Sequence, residues 1–102
     1  MASITKRVTF IAKEGCEDKM KELLTAMVEP SKKEPGVVFY DIYQYKNNPR
    51  KFSAVESWES EEALEGHKQT EHYAIYKSSF EPYCEDKYTD ELEILGNPYN
   101  LD

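Results

Sequence analysis

Met20, Leu23, Leu24, Met27 and Val28 fall at i, i+3, i+4, i+7 and i+8, which draws one apolar stripe along a helix and obliges another element to cover it. The flanking segments have the period that can do so. Residues 4–13 place Ile4, Val8, Phe10 and Ala12 on one side and Thr5, Arg7, Thr9 and Lys13 on the other, with Lys6 and Ile11 out of step; this reads as a strand. Gly15 separates strand from helix, and Glu17 and Asp18 suit the positive end of the helix dipole. Pro30 lacks the amide hydrogen of a helix interior, so a kink or stop is expected near Glu29. Ser31 and Glu34 have capping-box spacing and are expected to restart a turn before Pro35-Gly36.

Residues 37–45 are rich in β-branched and aromatic side chains on both faces, as in a strand covered on both sides. Lys46-Asn47-Asn48-Pro49-Arg50 is a turn cluster. In the strand at 52–58, Phe52, Ala54, Glu56 and Trp58 point one way and Ser53, Val55 and Ser57 the other. Ser60 is a suitable cap for a helix to about His67 or Lys68, and Thr70 for a second. Tyr73, Tyr76, Phe80 and Tyr83 form a single aromatic stripe from that second helix onward. Residues 88–95 alternate as a fourth strand, and Gly96-Asn97-Pro98 begins a tail.

The expected order is β-α-β-β-α-α-β. It matches an α+β, ferredoxin-like split β-α-β, with helices on one face of a four-stranded antiparallel sheet. One domain over residues 4–95 and a tail over 96–102 account for the chain. The opposite sheet face needs cover, and a second copy across a two-fold axis is the economical way to supply it.

At 102 residues a domain removes about 65% of its unfolded surface from water, enough for a core but not for large stability. A net charge of −7 repels nucleic acid and anionic membranes, so neither is an expected partner. No apolar run reaches the ~18 residues of a membrane span, and Met1-Ala-Ser-Ile-Thr-Lys-Arg7 leads into a strand rather than a signal-peptide core. Cys16 and Cys84, isolated and without metal-site spacing, fit free thiols in a cytoplasm, although their number leaves a single bridge open.

Both histidines lie in one short run, His67-Lys68-Gln69-Thr70-Glu71-His72-Tyr73, just beyond Glu56-Ser57-Trp58. Imidazole moves protons near neutral pH, and a carboxylate sharing a strand face with Phe52 and Trp58 requires a partner if buried. A small-molecule pocket fits these residues. So does a plain structural account, with Trp58 and the tyrosine stripe as core, His72 serving a helix start and His67 favouring a helix end.

Taken together and in order, these pieces resemble the antibiotic-biosynthesis-monooxygenase family of dimeric α/β barrels. The likeness covers residues 4–95. It rests on the strand-Gly-helix opening, Glu34-Pro35-Gly36, Glu56 and Trp58 in the third strand, then Ser60, Ala63-Leu64, His67 and Thr70-x-His72-Tyr73. The resemblance implies the fold and a homodimer, and leaves the chemistry divided, because that family contains several activities. Some members oxidise quinols or phenols with O2 and neither metal nor flavin, some degrade haem, and one branch isomerises a phosphorylated signalling sugar. Alignment through Trp58 puts His67 and Lys77 where haem-degrading relatives carry tryptophan and a haem-ligating histidine, which argues against haem. The run from His67 to Tyr73 is similar to the isomerase branch, and Glu56-x-Trp58-Glu59-Ser60 to the quinol-oxidising branch.

For a cofactor-free oxygenase, the resemblance implies a phenol or enol deprotonated by His67 or His72, with Glu56 orienting the imidazole. Trp58, Tyr40, Tyr43, Tyr73 and Tyr76 are the candidate aromatic walls for a small aromatic or carbonyl substrate. An isomerase needs, in addition, a cation for phosphate, and Lys68 is the candidate. Neither reading calls for a cofactor or a metal. A non-catalytic ligand-binding dimer is the third class. The acidic runs 59–65 and 81–86 are expected to be solvated helix faces.

Overall fold

A computed structural model describes residues 3–99. Met1, Ala2 and residues 100–102, the last part of the expected tail, lie outside the described residues. Four strands, β1 (Ile4–Ala12), β2 (Val37–Tyr45), β3 (Asn48–Trp58) and β4 (Cys84–Leu92), form one antiparallel sheet in the order β2-β3-β1-β4. Helices α1 (Glu17–Thr25) and α2 (Val28–Lys32) connect β1 to β2, while α3 (Glu61–Lys68), α4 (Glu71–Ser79) and a 3-10 turn (Glu81–Tyr83) connect β3 to β4. This is the expected ferredoxin-like α+β fold.

The apolar stripe of α1 forms the core with the inner sheet face: Met20, Leu24 and Met27 are buried against Val8, Phe10, Ala12, Phe52, Ala54 and Trp58. The helix is interrupted at Ala26 and Met27, before Pro30 rather than at it. Pro30 instead sits in the first turn of α2, where its missing N–H would have no helical partner anyway. Ser31 is buried in that short helix, and the expected capping exchange with Glu34 is replaced by a different use of the carboxylate, described below.

Two boundaries differ from expectation. Asn48, Pro49 and Arg50 belong to β3, leaving a hairpin turn at Lys46 and Asn47 with a register shift at Gln44/Tyr45. Arg50 ties this extension to the neighbouring strand through Nε to the Ala12 carbonyl at 2.8 Å. β4 begins at Cys84 and ends at Leu92, so Glu85 and Asp86 occupy an edge strand rather than a helix face. An edge tolerates charge because one row of its backbone groups faces water. Cys16 and Cys84 are free thiols.

The outer sheet face is less apolar than its second strand suggests. Its centre is a row of buried hydroxyls, with Thr5 Oγ1 to Ser57 Oγ at 2.7 Å and Thr9 Oγ1 to Ser53 Oγ at 3.4 Å. Tyr43, Tyr88 and Leu92 stand exposed around it.

Candidate functional site

Between the inner sheet face and α1, α3 and α4 lies a small cavity of about 70 Å³, partly open to solvent. Tyr40 on β2, Glu56 on β3, His67 and Lys68 on α3, and Tyr73 and Tyr76 on α4 all line it. Cross-strand register explains part of this convergence: Tyr40 lies opposite Glu56, which lies opposite Lys6 on β1, so alternation turns all three to one face.

The helical side chains are placed by caps. Ser60 Oγ accepts the Ala63 amide at 3.1 Å and starts α3. Thr70 Oγ1 accepts the Tyr73 amide at 3.2 Å, starting α4, and donates to the His67 carbonyl at 2.7 Å. One hydroxyl therefore sets both the end of α3 carrying His67 and the start of α4 carrying His72 and Tyr73.

Glu34, in the turn between α2 and β2, joins the two histidines. Its Oε2 lies 2.7 Å from His67 Nδ1 and 2.6 Å from His72 Nε2, and its side chain is only 9% exposed. An ionised carboxylate can only accept, so both ring nitrogens donate to it. That assignment leaves Nε2 as the basic nitrogen of His67 and Nδ1 as that of His72. His67 itself is buried, its ring 4.5 Å from that of Trp58, 5.1 Å from Tyr73 and 5.6 Å from Tyr40, centre to centre. Its ring is tilted 33° from the indole plane, a packed arrangement that fixes its orientation as the Glu34 bond fixes its tautomer.

Glu56 is buried and accepts from Trp58 Nε1–H at 2.9 Å, giving the carboxylate the partner that burial demands. The expected pairing of Glu56 with a histidine is thus not what the geometry provides: the imidazole-orienting carboxylate is Glu34. Trp58 packs against His67 and is outside the cavity lining. His72 borders a separate crevice with Leu23, Met27 and Ile75 and is linked to the main cavity's lining through Glu34 and His67. Tyr43 is on the other side of the sheet, opposite Ser53, and 56% exposed, so it is no part of this cavity. Lys68 is at the margin, 3.5 Å from Glu65.

Burial, followed by repulsion from Glu56 and Tyr76, pushes the Tyr40 phenol well above its ordinary value. Burial, then the neighbouring Tyr73 and Glu56, does the same to Tyr76. Both stay neutral hydrogen-bonding groups around neutral pH. The Glu34, His67 and His72 donor atoms fall within 4.8 Å of one another, so the trio has the ligand types of a divalent metal site; as placed, these atoms are engaged with each other.

Glu34 is the site residue that sequence reasoning missed as chemistry. The Glu-Pro-Gly turn was visible, but a capping box gave its carboxylate a sufficient local use. Lys6 and Lys87 also line the cavity; the signal for Lys6 was its misplacement in an otherwise alternating strand.

Among solved structures, PA3566 from Pseudomonas aeruginosa is 29% identical, with TM-score 0.88 over 93% of this chain and 96% of its own. A Nitrosomonas europaea protein described provisionally as an antibiotic biosynthesis monooxygenase is 22% identical, with TM-score 0.87 and coverage of 94% and 93%. Rv0793 from Mycobacterium tuberculosis is 21% identical, with TM-score 0.86 and coverage of 95% and 99%. No curated protein matches the sequence. The family profile described as antibiotic biosynthesis monooxygenase matches residues 3–77, which include β1 to β3, Glu34 and both histidines, and the chain therefore belongs to the antibiotic biosynthesis monooxygenase family.

Proposed function

We propose that the protein is a cofactor-independent monooxygenase that oxidises a quinol or phenolic small molecule with O2. The observation that carries this reading is the Glu34–His67 pair beside an aromatic cavity. A carboxylate that holds Nδ1–H leaves the other imidazole nitrogen as a general base and stabilises the imidazolium formed when it takes a proton. His67 is that base. Glu34 orients it, and His72 holds Glu34 from the far side. Tyr40, Tyr73 and Tyr76 form walls for a planar ring, and the neutral phenols add hydrogen-bond donors.

The chemistry balances without a further reductant. For an anthrone-like substrate, His67 removes a proton from the ring methylene and the resulting carbanion adds to O2. The hydroperoxide then breaks its O–O bond and loses water, leaving a carbonyl where the methylene was. One oxygen atom of O2 ends in that carbonyl and the other in the water, which also carries away both methylene hydrogens. The substrate supplies all four electrons. Burial of His67 among Tyr40, Trp58 and Tyr73 limits water beside the anion, which favours its reaction with O2 over reprotonation.

A second reading, isomerisation of a small phosphorylated hydroxy-ketone, is favoured by Lys68 beside His67 at the cavity margin. It uses the same base at adjacent carbons. Oxygen uptake with a panel of hydroquinones and anthrone-like phenols separates the two. Uptake is expected to fall about a hundredfold in His67→Ala and Glu34→Gln, with the folded state checked by circular dichroism. Rates equal to the unsubstituted protein would remove the base assignment, and solvent-proton exchange at a ketose carbon without O2 uptake would favour the isomerase. We further propose that the outer sheet face joins two copies in a cytoplasmic homodimer, as the exposed Tyr43, Tyr88 and Leu92 suggest.

A further inference from the structure

The lining of the cavity carries the opposite charge balance to the chain. The protein has a net charge of −7, yet Lys6, Lys68 and Lys87 line this cavity from three different elements and Glu56 is the one carboxylate among its lining residues. Lys68 is already engaged with Glu65. The other two are different. Among the described residues, neither Lys6 nor Lys87 has a carboxylate oxygen within 4.0 Å. Lys6 lies across the sheet from Glu56 on one side and Glu91 on the other, and Lys87 lies opposite Phe10, with its Nζ above aromatic faces, 4.9 Å from the Phe80 centroid and 5.7 Å from Tyr76.

A lysine needs a reason to be half-buried here. Ordinarily such a side chain covers apolar surface with its stem and carries its ammonium out to water. Lys87 does the reverse in part: burial, then repulsion from Lys77 and Lys6, pulls its ammonium below the ordinary lysine value, and it stays over the Phe80 and Tyr76 rings. Cation–π contact offsets some of the desolvation. An anion between Lys6 and Lys87 would offset more, because charge-assisted hydrogen bonds strengthen where water is excluded.

We propose that the cavity takes a substrate bearing a permanent oxyanion, a carboxylate or a phosphate, held by Lys6 and Lys87. From Lys87 the wall runs through rings toward the base: its Nζ is 5.7 Å from Tyr76, which lies 5.5 Å from Tyr73, which lies 5.1 Å from His67, so an aromatic substrate whose oxyanion meets Lys87 lies along these rings. The oxyanion orients the molecule, and the reacting carbon or hydroxyl falls beside His67. This deepens the proposed function and rests on His67 marking the reacting end, but the binding preference itself does not depend on turnover.

Two matched pairs of probes test it by isothermal titration at low ionic strength: a naphthohydroquinone carboxylate against its uncharged parent, and dihydroxyacetone phosphate against dihydroxyacetone. In one pair the anion is expected to bind about tenfold or more tightly than its neutral partner. Whichever pair shows the preference identifies carboxylate or phosphate as the group recognised. Lys6→Gln/Lys87→Gln together should bring the two affinities within about threefold, and Lys87→Arg should keep the preference, since guanidinium retains the charge. Circular dichroism confirms that the variants fold. Equal affinity in both pairs, no measurable binding of either anion, or a preference that survives the double substitution overturns the proposal. A preserved preference in a protein that consumes no O2 would overturn the oxygenase reading and leave this one standing.

Discussion

Glu34 shows how a single side chain is given its role. Within its own turn it has a local use available, a reciprocal cap with Ser31, worth about 1 kcal/mol. The folded chain instead gives its Oε2 two imidazole donors, at 2.7 and 2.6 Å, in a place where it is almost withdrawn from water. Charge-assisted bonds in such surroundings outweigh a neutral local cap. Burial also acts on phenols. Tyr40 is 4% exposed, and burial together with Glu56 holds its phenol neutral beyond the range where a free tyrosine ionises. Because the folded value is raised, the native state keeps the proton that the unfolded chain loses. The contribution to stability is complete below the unfolded value of about 10 and is lost as pH rises above it, at up to ~1.4 kcal/mol per pH unit. Tyr40→Phe is therefore expected to flatten the alkaline fall of stability, read from urea-denaturation midpoints between pH 9 and 11 (about the tyrosine range). The same slope in both proteins would show that Tyr40 does not carry it.

At the level of elements, the junction of α2, β2 and α3 places the site. Gly36 opens β2 with φ +80°, and its carbonyl accepts the Glu59 amide at 2.8 Å, tying the start of β2 to the end of β3. A Cβ on Gly36 would sit 2.6 Å from the Ala63 Cβ on α3, so backbone freedom and close approach are both needed. Gly36→Ala is expected to cost about 2–5 kcal/mol, combining the left-handed conformation with overpacking. Gly15 has a similar φ of +82° with nothing within 4 Å of its virtual Cβ, so Gly15→Ala should cost only about 1–2 kcal/mol. Chemical denaturation of the two variants compares them directly; equal costs would mean that the α3 contact is not limiting. The boundaries that misled sequence reading belong to this scale as well. Pro30 marks a break by its missing amide, yet it is tolerated in a first turn, and the charges at Glu85 and Asp86 suit an edge strand as readily as a helix face. Short-range composition does not distinguish these cases, because the deciding partners are distant in sequence, β2 for α2 and β1 for β4.

For the whole molecule, the sheet divides two tasks between its faces. The inner face builds the core and the cavity. The outer face presents a hydroxyl row with exposed tyrosines and Leu92 around it, and a domain of this length gains from covering it. The homodimer is expected to sediment at twice the 11.9 kDa chain mass at micromolar concentration, and Val55→Asp, at the middle of that face opposite Arg7 and Asp41, to shift it to the monomer. A monomer without the substitution would end the dimer reading. The architecture was legible in advance because it rests on periodicity: the α1 stripe and the alternation at 52–58 have few ways to be buried, and caps at Ser60 and Thr70 act within four residues. The site was legible only in part. That His67, Tyr40, Tyr73 and Tyr76 share a cavity, that Tyr43 faces away, that Glu34 rather than Glu56 holds the imidazoles, and that Lys6 and Lys87 line one space all depend on strand register and on the helices' seating. Those are long-range matters, settled by which side chains fill the space between sheet and helices, whereas the elements themselves are written in spacing along the chain.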